Sequence, residues 1–348
     1  MIWLTWRQLR GSVAVTAAAL AVLAAVLVAT GPGLAGRYAS GIAECTRQGT
    51  CADFYNEFFG SYELEFLAVS LVVLVLPALI GLFWGAPLVA RELEAGTHLL
   101  VWNQSITRRR WLAVKLGLTG LIAVAAAGLC GLMVTWWSGP LDESASENLA
   151  LMAPLVFGAR GIAPMGYAAF AFVLGTTAGM MARRTLPAMA LTLAVFAALQ
   201  LGMPLLVRPH LMPPAVATSE LGLENVDSLA IQRGGGGPVR VLLRSAVPGQ
   251  AGAWVLSNEL IDPSGRTISD GGEAAVPVST TSGPCAPGGS PVAGTCMAEI
   301  NRLGYRQRAT YQPLERFWPF QWIETGIYAL LTLGLTWWAF RWVRRRTS

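Results

Sequence analysis

The sequence predicts an all-α polytopic membrane protein with six transmembrane helices and both termini in the cytoplasm. A small, mostly-β extracellular domain is inserted between helices 5 and 6. Three observations predict this class. Of the 348 residues, 54% are hydrophobic and only 13% are charged, about half the charged share of a soluble domain. Five stretches long enough to cross a hydrocarbon core of about 30 Å contain no charge, and a sixth contains a single acid. The basic residues gather at one end of successive stretches, as positive-inside topology requires.

Met1–Arg10 sets Trp3 and Trp6 beside Arg7 and Arg10, which suits a short helix in the inner interface. Ser12–Thr30 follows. It is longer than the apolar run of about 7–15 residues in a signal peptide, and no A-x-A site comes after it, so it reads as a retained span. The segment 31–65 reads as an external loop rich in aromatics (Tyr38, Phe54, Tyr55, Phe58, Phe59, Tyr62) that packs on the outer membrane surface. Span 2 is Phe66–Ala90 and is followed by a cytoplasmic loop over 91–110. Span 3 is Leu116–Leu141, and an acidic external turn holds Asp142, Glu143 and Glu147. Leu149–Phe157 is apolar but too short to cross, which leaves a re-entrant or interfacial segment. Span 4, Gly161–Ala182, is joined to span 5, Thr185–Val207, by a tight inner turn at Arg183-Arg184-Thr185.

The segment 208–316 is the extended soluble region. Val239–Val247 and Ala253–Ile261 alternate as strands do, and Asp262-Pro263-Ser264-Gly265 is turn chemistry. Gly234–Gly237 reads as a linker and Gly271–Pro291 as a stapled loop. Span 6, Phe317–Phe340, carries tryptophans toward both ends (Trp318, Trp322, Trp337, Trp338) and leads into a basic tail. The domains are therefore 1–207, 208–316 and 317–348.

Orientation follows from the basic residues. With both termini inside, the cytoplasmic segments hold Arg7, Arg10, Arg91, Arg108, Arg109, Arg110, Lys115, Arg183, Arg184, Arg341, Arg344, Arg345 and Arg346. The same segments hold just two acids, Glu92 and Glu94. This topology puts Cys45, Cys51, Cys285 and Cys296 on the oxidising side, where the local pairing Cys45–Cys51 and Cys285–Cys296 is favoured over four free thiols. Cys130 lies within span 3 and reads as a packing residue.

Several function classes are excluded. The lone lysine, Lys115, is followed by Leu116, so the chain has no phosphate-binding P-loop. His98 and His210 fall on opposite faces, which leaves no His-based metal site or Ser-His dyad. No G-x-S-x-G elbow occurs. Catalysis, metal and cofactor binding by this chain are not expected. The formal charge of +5 is distributed as in membrane proteins and does not point to nucleic acid. Weaker features are Pro77 and Gly81 in span 2, which could kink it and open backbone to a substrate path, and Glu324 in span 6, which could gate. Small-residue packing is the plainer reading of Pro77 and Gly81, and a hydrogen bond to a neighbouring span or snorkelling that of Glu324 and Arg160.

The informative stretch is Arg91-Glu92-Leu93-Glu94-Ala95-Gly96-Thr97, then Leu99-Leu100, and then Arg108-Arg109-Arg110 and Lys115. Glu92 and Glu94 are two apart and do not share a helical face, so at most one points at a given partner. Gly96 marks a break, after which 97–103 could form a short helix with Leu99, Leu100 and Trp102 as a docking knob. Charge neutralisation at the interface is the plainer reading.

This pattern resembles the loop between spans 2 and 3 in permease subunits of the type-2 export superfamily of ABC transporters, where R-E-x-E-x-G-T-x-x-L precedes a basic cluster and a lysine. Arg91, Glu92, Glu94, Gly96, Thr97, Leu100, Arg108 and Lys115 match it. The Arg160-Gly161-Ile162-Ala163-Pro164 and Arg316-Phe317-Trp318-Pro319 runs resemble an actinobacterial branch. The resemblance implies a bacterial inner-membrane half-transporter that moves an amphipathic small molecule, lipid or peptide outward. Its partners would be a second permease copy, a homodimer being favoured, and cytosolic ABC ATPase subunits that bind ATP and Mg. It does not extend well to 208–316. A membrane scaffold or sensor with an external ligand-binding domain is the alternative. A secondary transporter is disfavoured because the spans hold almost no ionisable residues.

Overall fold

The computed structural model describes residues 2–48, 51–96, 107–144, 149–231, 237–270, 273–286 and 292–345. The chain divides into two compact units, Met1–Ser144 with Pro154–Arg208 and Trp318–Ser348, and Ala145–Ala153 with Pro209–Phe317.

The first unit is helical. Its elements are α1 (Ile2–Gln48), α2 (Ala52–Leu79), a π-helical segment Ile80–Gly85, α3 (Ala86–Glu94), α4 (Arg108–Ser144), the single turn α5 (Pro154–Phe157), α6 (Ala163–Ala182) and α7 (Thr185–Gly202). A second π-helical segment, Met203–Val207, follows α7, and α9 (Phe317–Arg345) returns to this unit after the β-rich region. Among the described residues, five helical stretches are long and apolar enough to cross a membrane: Arg10–Arg47, Phe54–Glu94, Arg108–Ser144, Ala163–Ala182 and Thr185–His210. The chain is thus a multi-pass membrane protein. The expected sixth stretch folds as the 29-residue α9; its Trp, Tyr, Gln and Glu324 content makes it less apolar than the other five.

Helix α6 is the centre of this unit and is buried along most of its length. Phe172, Val173 and Met180 pack with Trp111, Leu112 and Leu116 of α4 and with Val89 of α3. On another side, Tyr167, Phe170 and Leu174 pack with Phe196 of α7 and Tyr328 of α9. The α6 contacts are made close by glycine. A Cβ on Gly175 would stand 2.3 Å from the Gly81 carbonyl oxygen, and one on Gly179 would stand 2.6 Å from that of Ala86. Backbones this near admit no larger residue.

Two sequence expectations are corrected here. The segment 31–65 is not an external loop. Helix α1 runs on to Gln48 and α2 begins at Ala52, so the apolar run ends well before the helix does. The turn between them is closed by the Cys45–Cys51 disulfide. The Tyr38 and Phe58 rings meet tilted with centroids 5.4 Å apart, and Arg37 donates to the Tyr62 hydroxyl at 2.7 Å. The aromatics therefore join two helices rather than coat a surface. Similarly, the N-terminal segment is no separate helix, because α1 is continuous from Ile2.

The second unit is β-rich. Strands β1 (Ala215–Ser219), β4 (Trp254–Ile261), β5 (Thr267–Asp270) and β7 (Arg306–Gln312) form an antiparallel sheet in the order β1-β7-β4-β5. Strands β2 (Val226–Ala230), β3 (Val239–Leu243) and β6 (Glu273–Val276) form a second sheet in the order β2-β3-β6. Val239, Val241 and Leu243 alternate inward along β3, as the sequence pattern predicts. Asp262 makes the turn between β4 and β5 by accepting from Ser264 and Arg266 backbone N–H at 2.8 and 2.9 Å. One helix that the sequence reading lacks, α8 (Val292–Arg302), contributes Cys296, Met297 and Ile300 to the core. The Cys285–Cys296 disulfide ties it to the preceding loop. At the centre of this unit, the buried Gln307 side chain accepts from Asn225 at 2.6 Å and donates to Asn258 at 2.8 Å.

Candidate functional site

Helix α3 carries the acidic motif. It starts where the π-helical segment ends, and it is clamped against α6 by the glycine contacts described above. Its last turn holds Arg91, Glu92 and Glu94, and the chain then leaves the helix at Gly96, which adopts a positive φ of 68°. That left-handed geometry stops the helix where the sequence predicts a break.

The two carboxylates reach different neighbours, Glu92 half-buried and Glu94 exposed. Glu92 forms an ion pair with Lys115 of α4. The Lys115 ammonium is buried, lies 4.9 Å from the Trp111 ring centroid and donates to the Leu88 carbonyl at 3.4 Å. Glu94 Oε2 accepts from the backbone N–H of Thr185 at 3.2 Å and from its hydroxyl at 2.9 Å. Thr185 is the first residue of α7 and follows Arg183, whose φ of 52° makes the tight turn. A carboxylate there also meets the positive end of the α7 dipole. Glu92 through Lys115 and Glu94 through Thr185 thus brace α3 against α4 and α7 at once, while Arg91 and Arg110 remain exposed.

The sequence reading anticipated that Glu92 and Glu94 point to different partners; it missed that both partners lie within the chain. Arg108 opens α4. Thr97 and Leu100, with the suggested helix over 97–103, lie outside the described residues.

The weaker candidates resolve differently. Pro77 is buried within the last turn of α2, just before the π-helical segment Ile80–Gly85. Gly81 is also buried, and a Cβ on it would stand 2.8 Å from the Ala171 carbonyl oxygen, so it serves close packing against α6. Their neighbours Leu76, Ile80 and Phe83 line an apolar groove of about 350 Å³ with Leu20 of α1 and Cys130 of α4.

Glu324 neither snorkels nor stands alone. It is 1% exposed and pairs with Arg208, 2% exposed, through bonds of 2.9 and 3.0 Å. It also accepts from the Tyr167 hydroxyl at 2.5 Å. The Arg208 guanidinium lies 4.1 Å from the Phe157 ring centroid. Nearby in sequence, Gln321 accepts from the N–H groups of Ile162 and Ala163 at the start of α6 and donates to the Phe157 carbonyl. Arg160, for which a hydrogen bond to a neighbouring span or snorkelling was expected, makes the hydrogen bond and is wholly buried. It bonds Asp142 at 3.3 Å and Ser70 at 3.1 Å, above the Phe66 ring. Asp142, expected in an exposed turn, is part of α4 and also accepts from Ser138. Such groups stay charged away from water only when paired and hydrogen-bonded. The end of Leu149–Phe157, the segment expected to re-enter or lie at the interface, is held to α9 where the Phe157 carbonyl accepts from Gln321, and Arg160 just after it is tied to α4 by one ion pair and to α2 by one hydrogen bond.

Comparison with known proteins gives one family match: the model described as ABC-2 membrane transporter related covers residues 17–208. No curated protein matches significantly. The same holds for solved structures.

Proposed function

Because the chain belongs to the ABC-2 membrane transporter related family, we propose that it is the membrane-spanning subunit of an ATP-driven exporter. The family implies an ATPase partner in general. In this reading the partner is cytosolic, docks on the loop 91–110 and supplies the ATP and Mg chemistry. Helix α9 is the sixth span, both termini face the cytoplasm of a bacterial inner membrane, and 208–316 lies outside. Two copies enclose the path of an amphipathic small molecule, lipid or peptide. The actinobacterial character of the Arg160 and Arg316 runs belongs to the same proposal.

The observation that carries the reading is the bracing of α3. A push on the loop 91–110 changes the equilibrium between inward- and outward-facing states only if it acts differently on the two. A slack loop would absorb it. Here Lys115 and Thr185 fix the end of α3 to α4 and α7, and Gly175 and Gly179 fix its flank to α6. Displacement of Glu92 and Glu94 is therefore passed to three helices together.

The test is purification of the tagged chain from its native host with its partners counted by mass, followed by reconstitution. A cytosolic ATP-binding protein is expected at one copy per chain. Glu94→Ala and Thr185→Val are each expected to lower stimulation of its ATP hydrolysis while membrane insertion stays normal. Recovery of the chain alone, across detergents and with nucleotide, would overturn the proposal.

A further inference from the structure

Helices α4 and α9 leave a groove between them, floored by α6. Along α4 it is lined by Ala113, Gly117 and Leu121, one residue per turn on a single stripe, and along α9 by Thr332, Thr336 and Phe340. Phe172 of α6 forms the floor, and the groove holds about 500 Å³ that is almost wholly apolar. Gly117 opens it further, because nothing lies within 4 Å of where its Cβ would be.

The groove does not end in apolar surface. Phe340 also lines a second hollow of about 250 Å³ whose other walls are Arg109, Trp337, Arg341 and Arg344. Arg109 stands one turn before Ala113 on the same stripe of α4, and Arg341 follows Phe340 directly. Helical geometry therefore makes the arginine hollow the mouth of the apolar groove. Arg341 lies 5.4 Å from the Trp337 ring centroid. Among the described residues, no ion pair is formed by Arg109, Arg341 or Arg344, and no carboxylate lines either hollow.

We propose that this is a binding site for an anionic phospholipid, with its phosphate among Arg109, Arg341 and Arg344 and an acyl chain along Gly117, Phe172 and Thr336. Three guanidiniums with no acid among them match a phosphate in charge and in bidentate geometry. Tryptophan, the residue type of Trp337 beside them, favours headgroup depth, and the apolar groove runs on from Phe340 away from the arginines. A free anion would use the mouth and leave the groove unexplained. A zwitterionic lipid would leave the charge unmatched. The site uses no residue of the α3 brace and stands whether or not the exporter reading holds.

The test is native mass spectrometry of the full chain, purified in mild detergent and exposed to phosphatidylglycerol, to phosphatidylcholine or to inorganic phosphate. Wild-type chain is expected to retain about one phosphatidylglycerol selectively. Each basic residue near an anionic headgroup contributes about fivefold in affinity, so R109Q/R341Q/R344Q is expected to weaken retention on the order of 100-fold. R7Q/R10Q/R184Q, which removes three arginines outside the groove, is expected to retain it. Gly117→Leu fills the groove with every charge in place and is expected to lose retention as well. Equal retention of phosphatidylcholine, or unchanged retention in the triple groove variant, overturns the proposal. Protection from heating by inorganic phosphate equal to that by the lipid overturns it in favour of a soluble anion. Unchanged retention in Gly117→Leu overturns the placement of the acyl chain.

Discussion

Arg208 and Glu324, 116 residues apart in the chain, meet through two hydrogen bonds of 2.9 and 3.0 Å and are both almost wholly buried. The pair joins the end of α7 to α9, and the Tyr167 hydroxyl brings in α6. Removal of one partner leaves an uncompensated charge in a buried site. Removal of both leaves a space that apolar side chains can fill.

Glu324→Gln alone is expected to destabilise the chain by about 3–5 kcal/mol, read as a lower melting temperature in detergent. Arg208→Met combined with Glu324→Leu is expected to cost less than either single change. If the double variant is worse than the sum of the two, the ion pair is not what fixes these helices.

Gly175 separates close packing from helix propensity. Gly175→Ala would place a Cβ 2.3 Å from the Gly81 carbonyl oxygen and 2.7 Å from the Ala86 nitrogen. Backbone atoms cannot rotate aside, so destabilisation on the order of 1–3 kcal/mol is expected. Gly117→Ala, into open space, is expected to be neutral or to stabilise α4 by up to about 1 kcal/mol. Thermal unfolding of the two variants side by side decides the matter; equal behaviour would mean that α6 has room to shift.

Acid should loosen the turn between β4 and β5. Hydrogen bonds from the Ser264 hydroxyl and the Arg266 backbone N–H hold the Asp262 carboxyl down to a pKa of about 2. The folded value lies below the unfolded one, about 3.9. The contribution of Asp262 is therefore fully present above pH 4 and is lost as pH falls through about 2. Amide exchange at Ser264 and Arg266, compared at matched intrinsic rates, is expected to quicken over that window in the wild type. In Asp262→Asn it should already be fast at neutral pH, with no such acid transition.

Much of the membrane unit was legible in the sequence because apolar runs and glycine breaks are local signals. Gly96 ends α3 and Arg183 makes the turn into α7 where the pattern predicts. The local disulfides form as expected. The extensions of α1 and α2 were not legible, since a helix that leaves the bilayer keeps its hydrogen bonds but loses its hydropathy. Arg160 and Glu324 were legible only as a choice between a hydrogen bond to a neighbouring span, which they make, and snorkelling. A lone charge beside an apolar run looks like an interfacial residue until its partner is known, and Asp142 and Arg208 stand 18 and 116 residues away. In the candidate site, the spacing of Glu92 and Glu94 showed that they diverge. That Lys115 and Thr185 receive them depends on how three helices pack, which spacing alone does not encode.

The π-helical turn at Ile80–Gly85 has an angular consequence. Its wider i→i+5 register holds one residue more than an α-helix would over the same rise. Since each α-helical residue advances about 100°, everything after Gly85 is rotated by that much relative to a straight continuation of α2. The bearing of the acidic pair is thus set upstream of the motif itself. Removing one residue between Ile80 and Gly85 would leave Arg91-Glu92-Leu93-Glu94 intact as text, yet swing Glu92 about 100° off Lys115, like a compass card reset beneath an unmoved needle.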